Sequence, residues 1–396
     1  MSPERTRILV TTDYYLPGYK GGGPMRTLVN MVYLLSDEFH FNIITADRDL
    51  GDPVPYAGIA CNTWQPLGRS DVFYFSRRRL SLLALCKIIR ATKHDALYLN
   101  SFFSPTFTVA PLLLRRFGLI PKLPVVLAPR GELSSGALAL KTFKKRAFFL
   151  LARTLDLYGE VVWQASSEYE EKDIRWRFGD RAQVVVAPDL PALASAKNKQ
   201  LYRRRKVGGS LKVAFLSRVS RMKNLDGALM MLGRLRGAIQ LNIYGPLEDK
   251  NYWLKCQKII ESLPENIEAC FRGSVAHDQV AGVLADHDLL LLPSLGENFG
   301  HVVLEALLAG CPVLISDRTP WRNLEAKGVG WDLPLEQPGR FVETLQRCVE
   351  MSAQEHDSLS QHARSFGLEQ ATNPAFLEKY QSLFRGALGS GWQTRQ

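Results

Sequence analysis

The strongest chemical signal lies in LLLLPSLGENFGHVVLEALLAGCPVLISD, Leu289–Asp317, where Glu297 and Glu305 flank a loop-to-helix junction. Asp288–Leu292 has the length and apolarity of a buried strand, Pro293–Gly300 reads as a loop, and Val302–Ala309 as a helix. Glu305 then stands among Val302, Val303, Leu304, Ala306, Leu307 and Leu308. An ionised carboxylate there is costly unless it is hydrogen-bonded or reaches solvent. A carboxylate only accepts hydrogen bonds, so the vicinal hydroxyls of a sugar suit it. Glu297, in the preceding loop, can hold hydroxyls on another part of the same ligand.

Two cations follow another apolar strand, LKVAFLS, in the order SRVSRMKN: Arg218 and Lys223. Past the end of a parallel strand, Arg offers a planar fork for phosphate oxygens and Lys a compact charge. Together they can neutralise a diphosphate as charge builds on its leaving oxygen. As residues of a solvated face they need no ligand at all. A glycine loop, Gly18–Gly23, has the pattern GxxGGG, which satisfies neither GxGxxG nor GxxxxGK[ST]. It follows a strand and precedes Pro24, a residue suited to a first helical turn. Its glycines either let backbone N–H groups approach an anion at a helix start or serve only a tight turn.

These residues need strands to deliver them. The first half predicts strands at Arg7–Thr12, Phe41–Thr45, Ala96–Leu99, Val125–Ala128, Val161–Ala165 and Val184–Val186, with helices at Met25–Leu35, Ser81–Ile89 and Glu168–Arg177. The pattern restarts with strands at Leu211–Ser217, Leu241–Gly245, Ile267–Arg272, Asp288–Leu292 and Val313–Ser316. Helices alternate with them at 225–236, Asn251–Ser262, His277–Ala285 and Val302–Ala309, and a last helix spans Asn373–Leu388. Short apolar runs between amphipathic helices imply parallel sheets covered on both faces. The expected fold class is α/β, with two doubly wound Rossmann-like domains facing a cleft. Residues 1–194 form the first domain, the basic, glycine-ended stretch 195–210 a linker, 211–370 the second domain, and 371–396 a final helix and tail.

Composition narrows the partners. The 396 residues carry a net charge of +11, of which +7 falls in residues 1–189 and +6 in 190–210, while the remainder is at −2. Anionic lipid, a phosphorylated substrate and nucleic acid can each use that asymmetry. Six scattered cysteines form no CxxC pair, which points to reduced thiols in a cytoplasmic protein without a zinc motif. The N-terminus shows no signal peptide, and Ala96–Leu114, though uncharged, is too polar for a membrane span. Asp47–Arg48–Asp49 and Asp286–His287–Asp288 look like metal clusters, but both read as loop or turn residues, and no metal site is expected. His40, His94 and His277 gain no role from position. KTFKKRAFFLLARTL, Lys141–Leu155, and Arg77–Arg90 are basic and amphiphilic, suited either to an anionic membrane or to covering the first sheet. Arg203–Lys206 would serve a nucleic-acid-binding protein, yet no nucleic-acid motif accompanies it, and none is expected as a partner.

Taken together, the Leu289–Asp317 segment resembles the donor-binding signature of the retaining, two-Rossmann-domain (GT-B) glycosyltransferases of family 4. The resemblance extends through SRVSRMKN, Gly21–Gly23, IYGP at Ile243–Pro246 and FRGSV at Phe271–Val275, and so covers essentially the whole chain. APRGELSSGAL, Ala128–Leu138, resembles the subset that assembles bacterial exopolysaccharide, lipopolysaccharide or capsule. The resemblance implies a nucleotide-diphosphate sugar as donor substrate, with no separate cofactor, and a lipid-diphosphate-linked or oligosaccharide acceptor at the inner face of the membrane. It implies that Glu305 binds ribose hydroxyls, and that Glu297 faces the transferred sugar beside the backbone N–H groups of Asn298, Phe299 and Gly300. Arg218 and Lys223 would hold the diphosphate, Gly22 and Gly23 would lie near phosphate or acceptor, and Phe271 and Gly273 near the base. The C-terminal helix would cross back to the first domain. Relatives carry a histidine where LAPRGE places Arg130, so Arg130 and Glu132 serve sugar or acceptor recognition, or pair with each other. Asn100 is a further polar candidate. The donor is expected to be a UDP-linked hexose. A double displacement through Glu297, and an epimerase or hydrolase on the same frame, are the enzymatic alternatives.

Overall fold

The computed structural model describes residues 5–134, 138, 142–190 and 204–389. Strands that are apolar on both faces need cover from both sides, and helices supply it. The first stretch runs β1 (Thr6–Thr11), α1 (Gly22–Leu35), β2 (Phe39–Ala46), β3 (Trp64–Leu67), β4 (Ser70–Phe75), α2 (Leu82–Ala91), β5 (Ala96–Asn100), α3 (Ala110–Arg116), β6 (Val125–Ala128), α4 (Thr142–Thr154), β7 (Val161–Ala165), α5 (Glu168–Phe178) and β8 (Gln183–Val186). The second runs β9 (Ser210–Leu216), α6 (Leu225–Leu232), β10 (Ala238–Tyr244), α7 (Lys250–Glu261), β11 (Ile267–Gly273), α8 (His277–Ala285), β12 (Leu289–Leu292), α9 (His301–Leu308), β13 (Val313–Ser316), β14 (Gly330–Leu333), α10 (Pro338–Glu350), α11 (Ala353–Thr372) and α12 (Pro374–Gly389).

Two units result, Met1–Leu190 with Pro374–Gln396, and Pro191–Asn373. The first holds an eight-stranded sheet in the order β3-β4-β2-β1-β5-β6-β7-β8, parallel except for β3 against β4. The second holds a parallel sheet ordered β11-β10-β9-β12-β13-β14. In each, the chain winds outward from one central strand and then returns to its other flank. The order therefore reverses between β1 and β5 and between β9 and β12, the places where such sheets open a ligand crevice beyond the strands' C-terminal ends.

The Arg204–Ser210 part of the expected linker is not free chain. Arg204 pairs with the buried Asp288 at 3.1 Å, and Lys206 donates from Nζ to the carbonyls of Val207 (2.9 Å), Ser210 and Val349 (3.4 Å). Buried polar groups need partners, and these tie that stretch to the second unit. Residues 195–203, with Arg203 of the basic cluster, lie outside the described residues. So do Ser135–Ala137, Lys141 and the last seven residues. Helix α12 returns to the first unit, where Tyr380, Leu383, Phe384 and Ala387 are buried. Phe384 packs 5.2 Å from Phe39 and 5.7 Å from Tyr98, between ring centroids.

Candidate functional site

Four parallel strands of the second sheet deliver their exit loops to one edge. After β9 the chain makes a single 3-10 turn, Arg221–Lys223, closed by Asn224 in the left-handed region at φ +55°, which Asn tolerates better than most residues. Asn224 Nδ2 donates to the Pro293 carbonyl at 3.0 Å, and the Leu295 amide donates to Met222 at 2.8 Å. The turn after β9 is thus stitched to the loop after β12, across the point where strand order reverses. On that seam Lys223 Nζ meets Glu297 Oε1 at 2.5 Å, with both side chains largely buried. The Glu297 amide is itself anchored on the Arg318 carbonyl at 3.0 Å.

Arg218 lies on the other side of the β9 exit. Its guanidinium pairs with Glu248 at 2.9 Å, and both side chains are about two-fifths exposed at 40% and 42%. IYGP fixes this corner: the Val219 amide donates to Pro246, and a Cβ on Gly245, at φ +132°, would collide with the Ser217 carbonyl. Only glycine fits there. Beyond β11, Phe271 is exposed and its ring stands 4.9 Å from that of Trp253, making an aromatic face. Gly273, at φ +79°, leaves open space where a side chain would be. Trp253 was not legible as a site residue; only its placement one turn along α7 brings it to Phe271.

Helix α9 starts without a side-chain cap, and the Val303 amide in its first turn donates to the Gly300 carbonyl at 2.8 Å. Gly300 enters it at φ +76°, while the Phe299 ring is buried and its carbonyl accepts from Trp321 Nε1 at 2.5 Å. Asn298 stays partly exposed between them. Glu305 is partly exposed while Val303, Leu304, Ala306, Leu307 and Leu308 are buried, which resolves the cost of its charge. His277, at the start of α8, brings Nδ1 to 3.8 Å from Glu305 Oε1, a neighbour that sequence position alone did not single out.

In the first unit, Gly22 lies at φ +68° just inside α1, whose N-terminus also lacks a side-chain cap, and Gly23 follows in the first turn. Asp49 secures the approach to this loop: Oδ2 accepts from the amides of Tyr19 (2.7 Å) and Lys20 (2.9 Å), and Oδ1 from Leu50. Asp47 pairs with Arg48 at 2.8 Å. The aspartates of Asp47–Arg48–Asp49 are therefore struts. Asp286–His287–Asp288 is equally committed, to Lys212, to Asn242 and Val283, and to Arg204 with the Lys212 amide. Among the described residues no three His, Cys, Asp or Glu side chains gather as a metal cage.

Arg130 is held within the first unit by a buried network. Its side chain is 2% exposed, pairs with Asp189, donates from Nε to Asn100 Oδ1 at 2.8 Å and from Nη2 to the Tyr98 hydroxyl at 2.7 Å. The Tyr98 hydroxyl donates to Gln164 Oε1 at 2.6 Å, and Gln164 Nε2 donates to the Tyr380 hydroxyl at 2.6 Å. This network links β5, β7 and the C-terminal helix α12, and Asn100 belongs to it. Arg130 itself adopts φ +59°, and the next amide, Gly131, is held by the buried Glu170 at 2.5 Å. Glu132 instead accepts from Ser101 Oγ and from the amides of Phe102 (2.6 Å) and Phe103 (2.8 Å), fixing the turn after β5.

Residues 197–366, nearly all of the second unit, match the family model Glycosyl transferases group 1. The whole chain is similar in fold to HepE of Anabaena, solved with UDP and glucose (TM-score 0.68, 16% identity, covering 96% of this chain and 99% of that one). It is similar to sucrose-phosphate synthase of Thermosynechococcus elongatus (TM-score 0.69, 15% identity, 97% and 100% covered). It is also similar to WaaG, a glycosyltransferase involved in lipopolysaccharide biosynthesis (TM-score 0.65, 14% identity, 95% and 98% covered). The chain has the GT-B fold, and its second unit carries the match to this family. No curated protein matches it in sequence. The matched residues take in Arg218, Lys223, Glu297 and Glu305 together, and Arg130 and the glycine loop fall outside them.

Proposed function

We propose that this protein is a glycosyltransferase that moves a hexose from a UDP-linked donor to a lipid-linked or oligosaccharide acceptor in bacterial surface polysaccharide synthesis, with retention of anomeric configuration and without a metal ion. The observation that carries the reading is the Lys223–Glu297 pair on the seam between the β9 and β12 exits, the ligand crevice of the second sheet. HepE was solved with UDP and glucose, and the same type of ligand fits these residues. Glu297 keeps a second carboxylate oxygen for sugar hydroxyls, and the positive end of the α9 dipole favours the anionic phosphate. Arg218 supplies a movable guanidinium for the diphosphate. Glu305 receives ribose hydroxyls, and Phe271 with Trp253 gives the base an aromatic face. In the transfer, the bond from C1 to the diphosphate oxygen breaks and a bond from C1 to the acceptor oxygen forms on the same face. The acceptor's proton passes to the departing phosphate, whose charge Lys223 and Arg218 stabilise.

A lipid-linked acceptor would be met at a membrane, and one surface of the first unit supports peripheral contact there. Leu82 and Leu83 on α2, Phe117 and Leu119 beyond α3, and Leu150 and Leu151 on α4 are exposed. Cys86 Sγ at 3.3 Å from the Leu119 carbonyl, and Arg116 Nε at 2.8 Å from that of Leu155, join the three segments. Exposed Arg77, Arg78, Arg79, Lys87, Arg90, Lys122 and Arg153 lie in or beside these segments, the combination that suits anionic headgroups over acyl chains. Among the described residues no helix is long and apolar enough to cross a membrane.

Calorimetry with UDP and a transfer assay over labelled UDP-hexoses test the donor site. Loss of a charged hydrogen-bonding partner is worth roughly tenfold or more. Glu305→Ala should weaken UDP binding by about that factor, and Lys223→Ala should reduce turnover far more than UDP affinity. Unchanged UDP affinity in the first variant together with normal turnover in the second would dismiss the assignment.

A further inference from the structure

The first sheet has its own reversal point, between β1 and β5, and a carboxylate stands at it. Asp13 lies just past the end of β1, and Ser104, in the turn after β5, donates its hydroxyl to Asp13 Oδ1 at 2.9 Å. No cation pairs with Asp13 among the described residues, and its Oδ2 has no hydrogen-bond partner there. The contrast with its surroundings is sharp. Glu132 accepts three hydrogen-bonding groups, Asp49 three amides, and Glu170 two amides and a hydroxyl. Each of those carboxylates shapes a loop. Asp13 shapes nothing with its second oxygen, yet it is mostly removed from water, a costly state for an uncompensated charge. Burial pushes it up to about 6, the Ser104 hydrogen bond opposes this, and the nearby Glu132 carboxylate adds to it. Tyr14 is the other titratable group that feels Asp13.

We propose that Asp13 is an acceptor-positioning residue whose unpaired carboxylate oxygen takes a hydrogen bond from a hydroxyl of the sugar that receives the hexose. The inference rests on the transferase reading above and names the residue of the first unit that would hold the acceptor. A hydroxyl is a better match than an ammonium group. A permanent cation would keep the carboxyl ionised, whereas a neutral hydroxyl donates best to the ionised form and meets a weaker acceptor once the carboxyl is protonated.

The test varies octyl hexosides as acceptor probes at saturating UDP-hexose, for the wild type, Asp13→Asn and Ser104→Ala, with UDP affinity measured in parallel. Asp13→Asn should raise the acceptor KM roughly tenfold. UDP affinity should stay within twofold, and the low-pH fall of kcat/KM for acceptor near pH 6 should flatten. Ser104→Ala, which frees the carboxylate from its one tether, should raise the acceptor KM by a smaller factor. An unchanged acceptor KM with the pH limb intact overturns the inference while leaving the transferase reading in place. An equal loss of donor affinity overturns it too, by assigning Asp13 to the donor. Absence of UDP binding and of transfer in the wild type overturns both.

Discussion

The same carboxylate makes a prediction about stability that needs no substrate. An acid whose folded pKa lies above its unfolded value holds its proton longer in the folded state. As pH rises through the unfolded value, the unfolded chain gains by ionising while the fold does not, and stability falls until pH passes the folded value. For Asp13 that window runs from 3.8 to about 6. At 1.36 kcal/mol per pKa unit the full cost is roughly 3 kcal/mol above the window and about 1 kcal/mol at pH 4.5. Asn keeps an oxygen to accept from Ser104 and carries no charge to desolvate. Asp13→Asn should therefore stabilise the protein at pH 8, and more so than at pH 4.5 by about 2 kcal/mol. The assay is thermal unfolding of both proteins at both pH values. At this size each kcal/mol moves Tm by roughly 2–4 °C. A variant destabilised at pH 8, or stabilised equally at both pH values, would refute the claim that this carboxylate is held in the fold without compensation. A residue that the fold would be better without is retained for something other than the fold.

The other expectations concern packing and surface. Arg130→Ala breaks an ion pair whose side chains are only 2% and 4% exposed, and such breaks cost about 3–5 kcal/mol. Its urea midpoint should fall steeply; an unchanged midpoint with lost transfer would return Arg130 to the substrate. Flotation with phosphatidylglycerol-containing vesicles should capture the wild type in a salt-sensitive way, and phosphatidylcholine vesicles should not. Leu83→Asp with Phe117→Asp should abolish capture, and equal flotation of the double variant would remove this face from the membrane.

How much of this was readable in the residues depended on locality. Apolar runs such as Val125–Ala128, Val161–Ala165 and Val313–Ser316 fold as the strands their composition predicts, because a strand covered on both faces reads as a near-continuous apolar run. The helix expected over 225–236 stops at Leu232, where Gly233 ends it. Missed altogether were β3, β4, α3, β14, α10 and α11. The last of these succeeds on contacts that a local pattern cannot show. Its polar-rich sequence buries Ser360, Ala363, Gly367 and Ala371, and a Cβ on Gly367 would press on the Leu308 amide of α9. In the candidate site, residues joined by one loop, such as Glu297 with Gly300, were visible as a motif. Partners brought in from other strands were not: Glu248 for Arg218, Trp253 for Phe271, and Asp189 for Arg130 are set by topology.

The two cations singled out by sequence differ in what holds them, and that difference divides their work. Arg218 and Glu248 are both about two-fifths exposed, at 40% and 42%, and a surface pair of this kind is worth about 0–1 kcal/mol. Exchanging Glu248 for a diphosphate therefore costs Arg218 little. Lys223 is 15% exposed and Glu297 9%, so parting them would strand two largely desolvated charges, a loss of about 3–5 kcal/mol. A ligand gains nothing by breaking that pair and must bind it whole. In the proposed transfer, Lys223 would fix where Glu297 presents its second oxygen to sugar hydroxyls and would meet the diphosphate with its remaining N–H groups. Arg218, by contrast, would in that transfer be free to follow the departing phosphates, and a charge that moves with the leaving group stabilises the transition state more than the bound donor.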